Sequence, residues 1–312
     1  MNQSKLSLAD VLTLLAALTF GFACFLGTNF YTLGNISQSL ILAAIIIVLL
    51  CGTALSAKLL KRTSRSFKTC FVWEMILLGV FTLLLAFFSY SPFPHYFNVS
   101  AHKTEIRANL DKSIAQADKM FAEYERYAEN REKIYKSKLQ SVVNAKSVNP
   151  SEYIEYGFDA NSGVSDEKQI ENKMFTVHAD LFPSNYEEMK RIDSQWLTNA
   201  KSTLNNGWAW NFGVVDVVNN IEQNSKYWLG TLVELSKVRE KGEQADDFEY
   251  SLSFDDTKKY FTALGKPTGL SLGLAAAAWV LMMLSWFVTK RHTRFPGLKV
   301  LFGTGKSALN EL

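Results

Sequence analysis

Four stretches of about 20 apolar residues dominate this 312-residue chain. They cover about residues 11–31, 39–57, 71–90 and 269–289. At about 1.5 Å per residue each can cross the roughly 30 Å hydrocarbon core of a bilayer. A segment in lipid must satisfy its own backbone donors and acceptors, and a helix does so. The chain therefore reads as a mainly α-helical membrane protein with four transmembrane helices. Three lie in residues 1–91, a helical exported domain of elongated form covers 92–268, the fourth follows at 269–289, and 290–312 is a basic tail. The first stretch is too long for the apolar core of a signal peptide, and bulky Phe22 argues against a lipoprotein site at Cys24.

Charge sets the expected orientation. Outside 92–268 stand eleven basic residues: Lys5, Lys58, Lys61, Arg62, Arg65, Lys68, Lys290, Arg291, Arg294, Lys299 and Lys306. All fall in the N-terminus, the loop between the second and third spans, or the C-terminal tail, and four spans bring those segments to one side. An excess of Lys and Arg marks the cytoplasmic side, so both termini are expected there and 92–268 in the periplasm, beyond a bacterial inner membrane. The basic loops are expected to meet anionic lipid headgroups. Of 33 basic residues 22 remain for 92–268; of 30 acidic residues all but Asp10, Glu74 and Glu311 remain, which is 27, for a net −5. A nucleic-acid partner is not expected of such a domain. The three cysteines, Cys24, Cys51 and Cys70, lie in or beside the spans, so no disulfide framework supports 92–268.

Within that domain, residues 103–147 contain neither Pro nor Gly, and a heptad-like stripe includes Ile114, Ala117, Phe121, Tyr124, Ala128, Tyr135 and Val142, interrupted by Arg131. This long helix either pairs with other subunits as a stalk, with Phe121, Tyr124 and Tyr135 as candidate partner contacts, or begins an intramolecular bundle; its Ala and Tyr content favours the bundle. Residues 149–167 read as a loop broken by Pro150, Gly157 and Gly163. Further helices are expected over 167–181, over 186–204 with Met189, Ile192, Trp196, Ala200 and Leu204 as its apolar face, and over 214–241. Residues 205–213 read as a turn, with Trp208, Trp210 and Phe212 either exposed for a partner or plugging the end of the bundle. The alternation of 247–254 fits a short strand, and 255–267 a final helix.

The motifs of chemistry are thin. His95, His102, His178 and His292 show no metal-binding spacing, and Asp159, Asn161 and Glu167 lack that of a calcium loop, so neither a metal nor another cofactor is expected. No nucleophile-elbow motif occurs, and the acidic pairs sit in polar surroundings, which argues against an enzyme. The tail sequence "GTGKS" (303–307) is a fragment of a phosphate loop, but Val300 stands where the loop requires its first glycine. Glu74, the one acid well inside an apolar stretch, is expected to form an interfacial ion pair with Lys68.

The stretch "NNGWAWNFGVVDVVNNIEQNSKYWLGTLVELSK" (205–237), with the order of three spans, helical domain and one span, resembles the TssN family. TssN is the multi-spanning inner-membrane subunit of the Bacteroidetes variety of type VI secretion system. The resemblance covers most of the chain, carries no diagnostic motif and transfers no site residue. It implies a non-enzymatic part of a trans-envelope complex, a homo-oligomer working with other membrane and periplasmic subunits. The alternative is a four-span sensor or channel-associated regulator whose helical bundle binds a ligand.

Overall fold

The computed structural model describes residues 7–63, 67–204 and 207–291. These fold into eleven helices, with no strand among the described residues. In chain order they are α1 (Leu8–Tyr31), α2 (Ile36–Arg62), α3 (Phe67–Tyr90), α4 (Phe93–Ala101), α5 (Lys103–Asn144), α6 (Pro150–Glu155), α7 (Asp166–Leu181), α8 (Tyr186–Leu204), α9 (Gly207–Lys237), α10 (Asp255–Thr262) and α11 (Gly269–Val288). The chain divides into two compact units, one formed by Met1–Ile106 with Lys258–Leu312, the other by Arg107–Thr257. His292 and the "GTGKS" segment lie outside the described residues.

In the first unit α1, α2, α3 and α11 are long and apolar enough to cross a membrane. Leu40, Ile41, Val48, Leu83 and Phe87 are each more than 60 % exposed on these helices, an apolar exterior that fits a multi-pass membrane protein. Their inner faces close around Phe20, Cys24, Ile46, Leu50, Phe81 and Met282. The helices overrun the apolar stretches at their polar ends. Ser7 and Asp10 form a capping box that starts α1. Lys61 and Arg62 extend α2, since both are good helix formers and their charge suits a helix C-terminus.

The prolines at 92 and 94 end the third apolar helix, yet the chain does not leave the unit there. Helix α4 folds back on α1, with Phe93 stacked on Phe20 at 4.4 Å. Gly27 permits this approach: a Cβ there would lie 2.3 Å from the Pro92 carbonyl oxygen. Phe261 of α10 is fully buried in the same unit, its ring 5.8 Å from that of Phe30. The His95 Nε2–H donates to the Phe261 carbonyl at 2.7 Å.

In the second unit the stripe of α5 turns inward onto its own chain. Phe121 faces Tyr186 and Trp228, and Tyr124 meets Phe248 edge-on at 5.3 Å. Tyr124 Oη donates to the Leu181 carbonyl at 3.0 Å, and Tyr135 Oη to the Lys241 carbonyl at 3.1 Å. Three expectations change here. The stretch read as a loop contains α6, capped by Asn149 and anchored by buried Tyr153. The turn expected at 205–213 is helical from Gly207, so Trp210 and Phe212 lie in the first turns of α9. Residues 247–254 keep their alternation, with Phe248 and Phe254 buried, but pair with no strand. The segment is stitched instead to helices: the Phe248 N–H donates to Ser236 Oγ, Tyr250 Oη to the Gln116 carbonyl, and Ser113 Oγ to the Ser253 carbonyl.

Candidate functional site

Four helix ends meet at one end of the apolar bundle: the starts of α1 and α3 and the ends of α2 and α11. A capping acid, Asp10, is carried there by α1, and basic residues by the last turn of α2 and by the segment after α11. Asp10 pairs with Lys58 of α2 and accepts from Ser285 Oγ of α11. Lys61 Nζ donates to the Trp286 carbonyl at 2.8 Å and lies 4.2 Å from the centre of that indole ring. The Trp286 Nε1–H donates to Glu74 Oε1 at 2.9 Å. Arg291 then grips both oxygens of Glu74, at 2.8 and 2.9 Å, while its guanidinium lies 5.1 Å from the ring centre of Phe71. Every one of these contacts reaches from one helix end to another, and together they clamp the fourth apolar helix to the first three.

The partner of Glu74 is therefore Arg291, not Lys68. Six residues on a helix turn through about 600°, or 240° net, so Glu74 and Lys68 point to different sides of α3. Glu74 is fully buried and Lys68 is exposed. The expected pair with Lys68 is replaced by one with Arg291, which lies 217 residues away along the chain.

The expected partner contacts in the second unit are core residues for the most part. Phe121, Tyr124 and Tyr135 are each at most 3 % exposed, because their face of α5 packs on this chain's own helices. Trp210 is buried too, with the Arg107 guanidinium 5.2 Å from its ring centre and the same Arg107 donating to the Leu204 carbonyl. Phe212 is 43 % exposed, and the side chain of Trp208 lies outside those described. Of these, Trp210 is buried and Phe212 is partly exposed.

Arg131 and Asp193 are among the polar side chains buried inside this unit. Arg131, the break in the α5 stripe, donates to both oxygens of Glu243 and to the carbonyls of Ser236 and Val238. It fixes the turn after α9 against α5, a role that its sequence position did not reveal. Asp193 of α8 is only 2 % exposed, whereas its neighbour Ile192 is 44 % exposed. The expected apolar face of α8, which included Ile192, is thus turned partly outward. Burial beside Asp118 pushes the Asp193 carboxyl up to about 6.

Among the described residues no three His, Cys, Asp or Glu side chains converge as a metal site requires. No family model, no curated protein and no solved structure matches this chain.

Proposed function

We propose that this chain is a non-enzymatic structural subunit anchoring a trans-envelope protein complex in the bacterial inner membrane. The observation that carries the reading is the attachment of Arg107–Thr257. This unit is inserted between α3 and α11, the two helices joined through Glu74 to Arg291 and Trp286. A domain held at both chain ends by clamped helices transmits load to a membrane while the helices resist sliding apart. Its attachment suits a scaffold.

In this reading both termini are cytoplasmic and 92–268 are periplasmic. Lys58, Lys61, Arg62 and Arg291 gather at one end of the bundle, consistent with a cytoplasmic face against anionic headgroups. The elongated form expected for the exported domain belongs to the same proposal. The resemblance to TssN suggests the type VI secretion membrane complex, with the chain self-associating beside other membrane and periplasmic subunits. Full-length protein extracted in mild detergent, with its mass measured by light scattering and its composition by mass spectrometry, tests this. A defined oligomer or a stoichiometric complex with secretion subunits is expected. A monomer without stoichiometric partners overturns it and turns attention to ligand binding by the sensor alternative.

A further inference from the structure

A groove runs along one side of the apolar bundle. Helices α1 and α11 are antiparallel neighbours: Thr13 Oγ1 donates to the Leu281 carbonyl at 3.4 Å, and Asp10 accepts from Ser285. Beside their line of contact the groove has a volume of about 350 Å³. Leu12, Leu15, Ala16, Thr19, Phe20 and Ala23 form its α1 wall, a spacing of three and four residues that follows one face of a helix. Leu274, Ala277, Ala278 and Leu281 repeat that spacing on α11. Alanines stand within both walls, where longer side chains would close the space. At the Phe20 end the groove meets α4, whose Phe93 is stacked on Phe20 and whose Phe97 lies 5.1 Å from Phe93. The one hydroxyl in the lining, that of Thr19, donates to the Leu15 carbonyl of its own helix at 2.9 Å, so the surface offered is apolar.

Size and length decide what fits. From Leu12 to Ala23 the α1 wall rises about 16 Å, close to half of the roughly 30 Å hydrocarbon core. A helix of that height and about 10 Å diameter occupies roughly 1,300 Å³, several times the volume of the groove. Lying across the mouth, it would leave the alanines bare, and a void forfeits the dispersion contacts of its lining. A single hydrocarbon chain is narrow and flexible enough to reach them. The groove is also continuous with the apolar exterior, since Leu12, Leu15, Leu274 and Leu281 of its lining are exposed as Leu40 and Val48 are. Its Leu12 and Leu281 end lies within about one helical turn of Asp10 and Ser285, at the charged end of the bundle.

We propose that this groove holds one acyl chain of a phospholipid, drawn from the leaflet on the side of Lys58 and Arg291. The chain enters beside Leu12 and Leu281, runs over Ala16, Ala277 and Ala278, and ends against Phe93 and Phe97. The lipid thereby touches α1, α4 and α11 at once and joins a short helix to two long ones. This inference rests on the membrane placement of the four helices and is independent of any assembly.

The test places the full-length chain in nanodiscs containing a phosphatidylglycerol with a diazirine midway along one palmitoyl chain. After irradiation, adducts are mapped by mass spectrometry. Label at Leu15, Thr19 and Ala277 is expected to exceed several-fold that at Val48, Leu49 and Leu55. Those three are exposed at comparable depth on α2, where Ile47 packs on Gly21 and Lys58 pairs with Asp10. Ala277→Phe fills the groove from its open side and is expected to lower the label at Leu15 and Thr19 several-fold, with α2 unchanged. Thr19→Phe, read at Leu15 and Ala277, repeats the comparison from the opposite wall should the first variant fold poorly. Even labelling of the groove and α2 overturns the proposal and leaves the membrane placement intact. Unlabelled groove residues in discs that hold two copies also overturn it and assign the groove to a second copy of this chain. A chain recovered outside the discs overturns the membrane placement, and the proposal with it.

Discussion

Arg131 and Glu243 form an ion pair in which both side chains are almost completely buried, 3 % and 1 % exposed. The pair lies where the apolar stripe of α5 is interrupted, and it joins that helix to a turn more than 100 residues further on. Breaking such a pair leaves a charge in the core, which costs more than the pair contributes when intact. Glu243→Ala is expected to destabilise the protein by about 3–5 kcal/mol. The double change Arg131→Met with Glu243→Ala is expected to cost clearly less than the sum of the single changes. Thermal unfolding of the full-length protein in detergent checks this; additive effects would contradict the coupling.

The pair of Glu74 and Arg291 makes a parallel prediction for the apolar bundle. Removing Arg291 abandons a fully buried carboxylate, so Arg291→Ala is expected to cost about 3–5 kcal/mol, whereas Glu74→Ala leaves an arginine that is 20 % exposed and is expected to cost less. Lys68→Ala is expected to change stability by less than about 0.5 kcal/mol, as an exposed residue away from the pair should. Three unfolding curves decide between Arg291 and Lys68 as the working partner of Glu74.

Gly27 and Gly79 both lie within apolar helices but meet different surroundings. A Cβ at 27 would come 2.3 Å from the Pro92 carbonyl oxygen, while one at 79 would meet nothing within 4 Å. Gly27→Ala must push α4 off α1, and a loss of about 1–3 kcal/mol is expected. Gly79→Ala is expected to be neutral or to stabilise by up to about 1 kcal/mol through helix propensity. Equal effects at the two positions would show that the close approach of α1 and α4 does not constrain the bundle.

Tyr124 tests whether the α5 stripe serves the core. Its hydroxyl donates to the Leu181 carbonyl from a fully buried position. Burial also pushes that hydroxyl's acidity far out of the physiological range, so it remains a donor at any working pH. Tyr124→Phe leaves the carbonyl unsatisfied and is expected to cost about 1–3 kcal/mol without altering the mass of the detergent-solubilised particle. A change of mass with unchanged stability would return Tyr124 to the surface of an assembly.

What the sequence disclosed depended on the range of the interaction. The apolar helices were legible because lipid imposes one length and one polarity on a span. The inward stripe of α5 was legible because its period is long and uninterrupted except at Arg131. Gly207 and Gly213 misled, since tertiary contacts around Trp210, among them the approach of Arg107, outweigh the weak local preference of glycine for a turn. The alternation at 247–254 gave the correct inward residues, Phe248 and Phe254, but alternation does not say whether a neighbouring strand exists. Ile192 and Asp193 differ by a single position, and their relative burial is set by the surfaces of α5 and α9, which no local pattern of α8 contains. The bond from Glu74 to Arg291 was beyond any local signal.

That last contact also sets an order of events during synthesis. The ribosome delivers α3 first, then the whole of Arg107–Thr257, and only afterwards α11 with Arg291. Glu74 therefore precedes its countercharge by 217 residues of synthesis. Until Arg291 is made the carboxyl group has no cation from the segment after α11, and an unpaired carboxylate among packed apolar helices is costly. Arrival of the final helix removes the cost in one step. The bond consequently marks completion of the bundle, because its cation is supplied only after α11.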